Sequence, residues 1–421
     1  MASPSRTVLH SDLNHFYAAV ECMRNPALRA HPVAVCGRQE DRHGIVLAKN
    51  CAAKACGVRT GETVWQAKTK CPGLIITDAH FSEYTKYSRL VQEIYADYSD
   101  LIEPFGIDEC WIDVTASSRL GNGEQLAHEI RRRVKRELGL TVSVGVSFNK
   151  VFAKLGSDMR KPDAVTVIAR EQFREKVWPL AVEELLGVGP ATAKTLHRYG
   201  VRTIGDLAQC PTSLLQYKFG VGGLRLWEYA NGEDDTPVVP QCSAPPIKSV
   251  GNGVTFNADL TSSEEVWPML LMLADEVARR LRAAQKKAYG IALSVRTGDL
   301  RDRSWQTVLE QPTQHAADLA GGAFSLFCQH YTWSQPVRAM TVRAIHLDDE
   351  QAAEQLSLFC DAGKRERDAS VDATLDNIRR RFGRRAITHA ATLHLPKLPS
   401  IAEETELLLP NGLQTMRGLC R

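Results

Sequence analysis

Two adjacent carboxylates in a mostly apolar, strand-like segment constrain this chain more than any other feature. Asp108 and Glu109 lie within residues 103–113, and a third acid, Asp12, follows a short apolar segment near the N-terminus. Neighbouring carboxylates repel, and burying an unpaired charge is costly, so a divalent cation is the natural compensation. Three carboxylates at strand ends therefore predict a site for two metal ions. The alternative is an exposed hairpin tip that carries Asp108 and Glu109 into solvent.

Six blocks of sequence occur in an order and spacing that resemble those of a known enzyme family. They are residues 9–21, 106–115, 147–154, 157–162, 186–189 and 248–251. Together they resemble the Y-family DNA polymerases, and the nearest branch is similar to bacterial polymerase IV. The resemblance covers roughly residues 5–382, nearly the whole chain.

The resemblance implies an α+β multidomain fold, the right-hand polymerase. Its expected parts are a palm (1–21 and 81–168), small fingers (22–80), a helical thumb with a helix-hairpin-helix (169–235), a linker (236–246), an α/β little finger (247–347) and a C-terminal tail (348–421). The residue patterns agree with an α/β palm, because strand-like segments at 8–12, 105–114 and 141–147 are interleaved with a helix at 125–138. Arginines and lysines cover the outer faces of that helix, which favours a solvated face over direct DNA contact.

Composition limits the class of protein without identifying it. A chain of 421 residues divides into roughly two to four domains. The net charge of +3 is nearly neutral, so any DNA-binding surface must be local. Eleven cysteines without a CxxC pair indicate reduced thiols. The N-terminus lacks an apolar signal core and no apolar run is long enough to span a bilayer, so we expect a soluble, cytoplasmic monomer.

The reaction that the resemblance implies is low-fidelity, template-directed addition of dNTPs to a primer, including opposite damaged bases. Asp12 and Asp108 would bridge two Mg²⁺ ions, and Glu109 would complete the metal that activates the primer hydroxyl. The backbone carbonyl of Leu13 is the expected further ligand of the nucleotide-bound metal. No segment resembles a proofreading exonuclease.

Three residues of the palm blocks, Phe16, Tyr17 and Lys161, are expected at the incoming nucleotide. Tyr17, which follows Phe16, stands where the family has its steric gate, an aromatic ring that excludes a ribose 2′-hydroxyl. The alternative is that Tyr17 is a core aromatic beside Phe16. Lys161 matches the family's triphosphate-contacting lysine, a point charge suited to phosphate oxygens.

The fingers depart from the family pattern. Many relatives have a threonine, a tyrosine and an arginine where this chain has Ala48, Cys51 and Lys54, so two hydrogen-bonding groups are lost while one charge is retained. We therefore expect an active enzyme with redistributed phosphate contacts. Ile45 and Leu47 match the residues that form the roof over the nascent base pair, where bulkier side chains predict a tighter roof.

Two segments are expected to contact DNA. Gly187 and Gly189 lie in a glycine turn similar to a helix-hairpin-helix, in which backbone amides approach a phosphate without side-chain obstruction. The alternative for such a turn is a purely structural role. In the predicted little finger, Lys248 and Arg296 are the cations expected to contact the phosphate backbone.

A pentapeptide after the predicted little finger resembles the bacterial sliding-clamp motif. It consists of Gln355, Leu356, Ser357, Leu358 and Phe359. An exposed apolar peptide of this kind is expected to enter a pocket on the clamp (its β subunit), and the alternative is a short core strand. Residues 364–382 predict a basic amphipathic helix that packs locally or touches DNA.

Three functions remain open from sequence alone. The first is a lesion-bypass polymerase recruited by the clamp to primer-template DNA. The second is a DNA-binding scaffold of the same family that has lost catalysis. The retained Asp12, Asp108, Glu109 and Lys161 argue against it, while the altered fingers keep it open. The third is a nucleotide cyclase-like palm enzyme, which the helix-hairpin-helix and the clamp peptide disfavour.

Overall fold

The structure is a computed structural model that describes residues 6–37, 44–240, 246–352, 362–384 and 386–393. The described chain divides into two compact units, one with residues 6–37 and 45–240 and the other with residue 44 and the residues from 246 onwards. The predicted clamp peptide, residues 355–359, lies outside the described residues.

The α+β multidomain class predicted from the sequence is confirmed by the elements of both units. The described residues form twelve strands: β1 (Val8–Leu13), β2 (Val33–Cys36), β3 (Val46–Lys49), β4 (Ile75–Asp78), β5 (Ile102–Pro104), β6 (Glu109–Asp113), β7 (Val142–Ser147), β8 (Val165–Ile168), β9 (Ser249–Leu260), β10 (Lys286–Thr297), β11 (Asp302–Thr313) and β12 (Val337–Asp349). They also form fourteen α-helices: α1 (Phe16–Arg24), α2 (Cys51–Ala55), α3 (Val64–Lys70), α4 (Phe81–Ala96), α5 (Gly123–Leu138), α6 (Lys150–Met159), α7 (Phe173–Val177), α8 (Pro190–Arg198), α9 (Ile204–Gln209), α10 (Thr212–Phe219), α11 (Val221–Asn231), α12 (Val266–Ala283), α13 (Ala316–His330) and α14 (Ala362–Phe382).

The main sheet of the first unit has the strand order β5-β6-β1-β7-β8. Its central strand β1 is buried along its whole length and pairs antiparallel with β6 and β7. The continuous strand predicted over residues 105–114 was wrong, because β5 and β6 form a hairpin whose turn is residues 105–108. The turn closes where the Phe105 amide donates to the Glu109 carbonyl, 3.0 Å away, and this places Asp108 at the end of the sheet.

Helix α5 shows why the sequence pattern predicted a helix here. Its apolar stripe, Leu126, Ile130 and Val134, is fully buried against the sheet. The helix begins at a capping box on Asn122 and ends at Gly139, which has a φ of 68° that glycine adopts without strain. Its basic residues pair with acids of the same unit, as in the ion pairs of Arg131 and Lys135 with Asp163 and of Arg133 with Asp97. Part of the helix face that is predicted to be solvated is therefore held by ion pairs.

Helix α6 lies directly on β7, and a glycine makes this approach possible. A Cβ atom on Gly145 would lie 1.9 Å from the Ala153 carbonyl oxygen and 2.5 Å from the Ser157 amide nitrogen, both of α6. Separations this short exclude any side chain at Gly145. The contact sets the position of every residue on α6, including Lys154.

Two further parts of the first unit pack around apolar clusters. The predicted fingers contain a three-stranded sheet of order β3-β2-β4, packed with α2 and α3. The predicted thumb contains α7 to α11, and its apolar cluster is shared with palm residues of α6 and β8 such as Phe152 and Ile168. The predicted linker is partly packed against the palm region, because Val238 is buried beside Trp111 and the Val239 amide donates to Glu103.

The second unit has a four-stranded antiparallel sheet of order β11-β10-β12-β9 with α12 and α13 packed on it. The sequence pattern predicts strands at 291–296 and 338–345 and helices at 263–284 and 314–328 here. All four are present as β10, β12, α12 and α13, although β10 and β12 are longer than expected. Helix α14 packs on this unit through ion pairs, since Arg282 of α12 binds both Asp372 and Asp376, and Arg379 binds Asp275. Of the two alternatives for this helix, local packing is therefore the one observed.

Membrane insertion finds no support in the described residues, where no helix is both long and apolar enough to cross a bilayer. All eight cysteines in these residues are free thiols, in agreement with the predicted reduced state.

We expect Gly145→Ala to lower the unfolding temperature of the first unit by several degrees. The new methyl group must displace α6 from β7, and overpacking of this kind costs about 1–3 kcal/mol or more. Differential scanning calorimetry measures the change. Gly73→Ala is the matched control, because a Cβ there meets nothing within 4 Å. Equal unfolding temperatures for the two variants would contradict the close contact.

Candidate active site

Strand pairing places two of the predicted acids side by side. Asp12 of β1 lies directly opposite Glu109 of β6 in the antiparallel register. Asp108 precedes Glu109 in the hairpin turn, and its carbonyl accepts a hydrogen bond of 3.0 Å from the Leu13 amide. Asp12 is only 6% exposed, whereas Asp108 and Glu109 are half-buried. The hairpin tip is thus packed against the central strand, which argues against a merely solvated turn.

Two lysines contact these carboxylates. Lys161 Nζ lies 2.7 Å from Asp12 Oδ2, and Lys154 Nζ lies 2.8 Å from Glu109 Oε1 and 3.7 Å from Asp12 Oδ2. Asp158 binds both ammonium groups, at 3.2 Å from Lys154 and 2.8 Å from Lys161. Lys154 and Asp158 had not been assigned a role from the sequence. Their spacing of four residues, followed by Lys161 three residues later, was the available signal, because it places all three on one side of α6 and its end.

The site contains more carboxyl groups than lysines, and burial favours the neutral form of two of the acids. Burial raises the pKa of Glu109 to about 7, and Lys154 only partly offsets this increase. Burial, followed by the charge of Asp12, also raises the pKa of Asp108. The pKa of the buried His10 is held well below its usual value by burial and by the lysines, so this ring is neutral at pH 7. Four carboxylates therefore face two ammonium groups, and a further cation is electrostatically favoured.

The residues suit a divalent metal because they supply oxygen ligands. Their side chains are not, however, arranged around one metal position. Carboxylate and carbonyl oxygens are the ligands that Mg²⁺ prefers. As placed, however, no three His, Cys, Asp or Glu side chains in the described part of the chain lie close enough together to hold a metal ion. The Asp108 carboxylate is turned towards Gly106, and the lysines occupy Asp12 and Glu109. Metal binding would require these side chains to reorient.

Tyr17 lies beside the acids at the start of α1. Burial, and then the charge of Asp108, raises the pKa of Tyr17 to about 12, so its phenol is neutral and close to the predicted metal ligands. Its ring is half-buried and stacks on Tyr84. Phe16 was also predicted at the nucleotide, but it is 3% exposed and belongs to the palm core, in ring contact with Tyr17 and Tyr84. That prediction is corrected, because a buried ring cannot touch a ligand.

The turn between β1 and α1 holds the loop that carries Lys161. Asn14 is buried, and its side-chain amide donates to Ser143 Oγ at 2.9 Å while its oxygen accepts from the Asp163 amide at 2.8 Å. His15 follows with a φ of 52°, the left-handed conformation that turns the chain into the helix. Asn14 therefore has a structural role in this turn.

The altered fingers residues lie next to this turn. Cys51 is exposed at the first position of α2, and its Sγ lies 3.1 Å from His15 Nε2. Burial, and then Lys54 and Lys49, lowers the pKa of His15, which shows that both cations lie near it. Ile45 is 41% exposed and forms a β-bridge with Thr63.

Leu47 lies on β3, in the same small sheet as Lys49, and is partly exposed. Of the predicted fingers residues, Cys51 and Lys54 are therefore the ones that lie near His15, in the turn after β1.

The residues predicted to contact DNA are accessible to solvent, but one of them, Arg296, is already paired with a carboxylate. Gly187 has a φ of 91°, and Gly189 precedes α8 with open space around it. Lys248 is exposed, but Arg296 already binds Asp302 through two contacts of 2.8 Å. A phosphate that binds Arg296 must compete with that carboxylate.

Comparison with known proteins gives matches across most of the chain. The model of the impB/mucB/samB family matches residues 11–158, that of its C-terminal domain matches residues 247–358, and that of a DNA polymerase-iota thumb domain matches residues 183–234. The chain is 49% identical to DNA polymerase IV of Acetivibrio thermocellus, over 90% of this chain and 95% of the relative. It is 36% identical to DNA polymerase IV 1 of Bacillus subtilis, over 93% of this chain and 94% of the relative. Among solved structures, a Y-family DNA polymerase chimera superposes with a TM-score of 0.72 at 23% identity, over 81% of this chain and 98% of the chimera.

We expect MgCl₂ to raise the unfolding temperature of the first unit, because a cation bound only by the folded site stabilises it. At a Mg²⁺ concentration ten times Kd, the gain is about 1.4 kcal/mol. Asp108→Asn should abolish the increase. Asp163→Asn, which removes an acid paired with Arg131 and Lys135 instead, should retain it. Calorimetry at constant ionic strength measures both, and an undiminished increase in Asp108→Asn would contradict the metal site.

Proposed function

The chain belongs to the Y-family of DNA polymerases and is a translesion DNA-directed DNA polymerase, and on that premise we propose that it adds dNTPs by two-metal nucleotidyl transfer at Asp12, Asp108 and Glu109. The observation that carries this proposal is the pairing of Asp12 with Glu109 across β1 and β6, with Asp108 in the adjoining turn. We also propose that synthesis is of low fidelity, and we retain the predicted palm, fingers, thumb, linker and little-finger boundaries.

Metal binding in this proposal uses the three carboxylates and the backbone carbonyl of Leu13. When bound, two Mg²⁺ ions would make the primer hydroxyl a better nucleophile and stabilise the charge of the departing pyrophosphate. The protein's own part is to hold the acids at the end of one rigid sheet. The three carboxyl groups supply the oxygen ligands that Mg²⁺ prefers, and their close placement at the end of β1 and β6 supports this assignment.

Lys161 is proposed to contact the triphosphate of the incoming nucleotide. Its ammonium group binds Asp12 and Asp158 in the free protein, but 30% of its side chain is exposed. A triphosphate would offer it a stronger anionic partner, and Asp12 would then be released for the metal. Lys54 and Cys51 are proposed on the phosphate side of the fingers. Tyr17 would exclude a 2′-hydroxyl by steric contact with the sugar.

Contacts with primer-template DNA are proposed at the thumb glycines of the first unit and at the cations of the second unit. The open space at Gly189 supports backbone-amide contacts with a phosphate. Lys248 and Arg296 would add sequence-independent contacts, which makes binding dependent on salt.

Primer extension tests the catalytic proposal. With Mg²⁺ and dNTPs, we expect extension by the natural protein on undamaged and abasic templates, and a loss of at least about 100-fold in Asp108→Ala, because charge stabilisation at the reacting groups is removed. Asp113→Asn is the matched control, since Asp113 lies at the other end of β6 and binds Arg6. If the natural protein binds DNA but extends nothing, the scaffold alternative is correct.

Clamp recruitment is proposed for the pentapeptide Gln355 to Phe359. The proposal rests on the sequence, in which Leu356, Leu358 and Phe359 supply apolar anchors between polar flanks. We expect the double substitution Leu358→Ala and Phe359→Ala to weaken binding to the sliding clamp by about 30-fold, the effect of losing a buried anchor. Ser357→Ala is the control. Surface plasmon resonance with immobilised clamp measures the affinity, and unchanged binding of the double variant would overturn the proposal.

A further inference from the structure

The ring of Tyr17 rests on a second tyrosine that the sequence motifs did not single out. The rings of Tyr17 and Tyr84 are nearly parallel, with an interplanar angle of 9° and centroids 4.2 Å apart. Tyr84 is fully buried on α4, and Phe81 of the same helix meets both rings edge-on. Tyr17 is therefore supported on its inner face by a ring that has no free space around it.

A buried carboxylate fixes the other end of Tyr84. The Tyr84 hydroxyl donates a hydrogen bond of 2.6 Å to Glu21 Oε1, and His80 Nδ1 lies 3.0 Å from the same oxygen. Arg24 binds the second oxygen of Glu21 at 3.0 Å. Glu21 is 3% exposed, and a charge buried to this extent is costly unless all its partners are in place. The network thus resists displacement of any one member.

Tyr17 and Glu21 occupy equivalent positions one turn apart on α1. Residues four apart lie on the same face of a helix, so both point to α4. Tyr84 contacts both at once, Tyr17 through its ring and Glu21 through its hydroxyl. The contacts among Tyr17, Tyr84 and Glu21 fix both the position and the tilt of the Tyr17 ring.

We propose that Tyr84, anchored by Glu21, is a positioning residue for sugar selection and keeps the Tyr17 ring from yielding to a ribose 2′-hydroxyl. The proposal rests on the steric-gate role of Tyr17 given above. Steric exclusion depends on a ring that cannot move, because a ring that tilts admits the larger sugar at little cost. Tyr84 acts through Tyr17 and itself touches no nucleotide.

The test is the discrimination ratio, kcat/KM for a dNTP divided by kcat/KM for the matching rNTP, in single-nucleotide insertion. Tyr17→Ala should lower this ratio by about 100-fold, the range that steric or polar discrimination at one group supplies. Tyr84→Leu, which removes the supporting ring, should lower it by about tenfold. Tyr84→Phe keeps the ring but loses the bond to Glu21, and it should lower the ratio by about threefold, as should Glu21→Gln.

The kinetic origin of the loss is also predicted. In the Tyr84 and Glu21 variants the change should arise from tighter or faster use of the rNTP, while kcat/KM for the dNTP stays within about threefold. Partial unfolding would lower both values together and leave their ratio unchanged. Tyr98→Phe is the control, because Tyr98 is also buried in the palm core and donates to Glu129 without touching Tyr17. Its ratio should equal that of the natural protein.

The outcomes separate this inference from the function on which it rests. If Tyr17→Ala leaves the ratio unchanged, the steric-gate role itself is wrong. If Tyr17→Ala lowers the ratio but Tyr84→Leu does not, only the positioning role of Tyr84 is overturned. If Tyr84→Phe and Glu21→Gln both keep the natural ratio, the anchoring by Glu21 is wrong. A fall in Tyr98→Phe would show general loosening of the core and would also count against the inference.

Discussion

Asp12 and Glu109 face each other across two neighbouring strands, where their charges repel unless cations lie close by. In the free protein Lys154 and Lys161 supply these cations. Lys154 reaches the carboxylates only because α6 lies directly on β7, and that approach depends on the missing side chain of Gly145. The electrostatics of the site thus depend on a backbone contact elsewhere in the sheet.

The same lysines offset the repulsion between the carboxylates at the strand ends. Lys154 contacts three carboxylates, those of Asp12, Glu109 and Asp158, and Lys161 contacts two, so the facing acids Asp12 and Glu109 both have a positive charge nearby. A metal and a nucleotide together would take over these contacts, with the nucleotide attracting Lys161 and the metal attracting Asp12. Substrate binding would then mainly exchange the ion-pair partners of Lys161 and Asp12 and would create no new charges on the protein.

The sequence predicted the fold class and the principal acids because both depend on local patterns. The short apolar segment that leads to Asp12, and the apolar stripe of Leu126, Ile130 and Val134, each lie within one element. The contact of Lys154 with Glu109 and that of Tyr84 with Glu21 join residues far apart in the chain, so no local pattern reports them. Phe16 was misassigned for a related reason, since adjacent helix positions face in different directions and only Tyr17 points to the site.

Asn14 shows how the loop after α6 stays in place whatever the charge state of the site. An amide supplies both a donor for Ser143 and an acceptor for the Asp163 amide, and it has no proton to lose or gain near neutral pH. An aspartate at this position would add a fifth negative charge and would make the anchor sensitive to protonation. Lys161 lies two residues before Asp163 in this loop. Because the Asn14 side chain stays neutral, its support of Lys161 does not depend on the ionisation of the acids beside it.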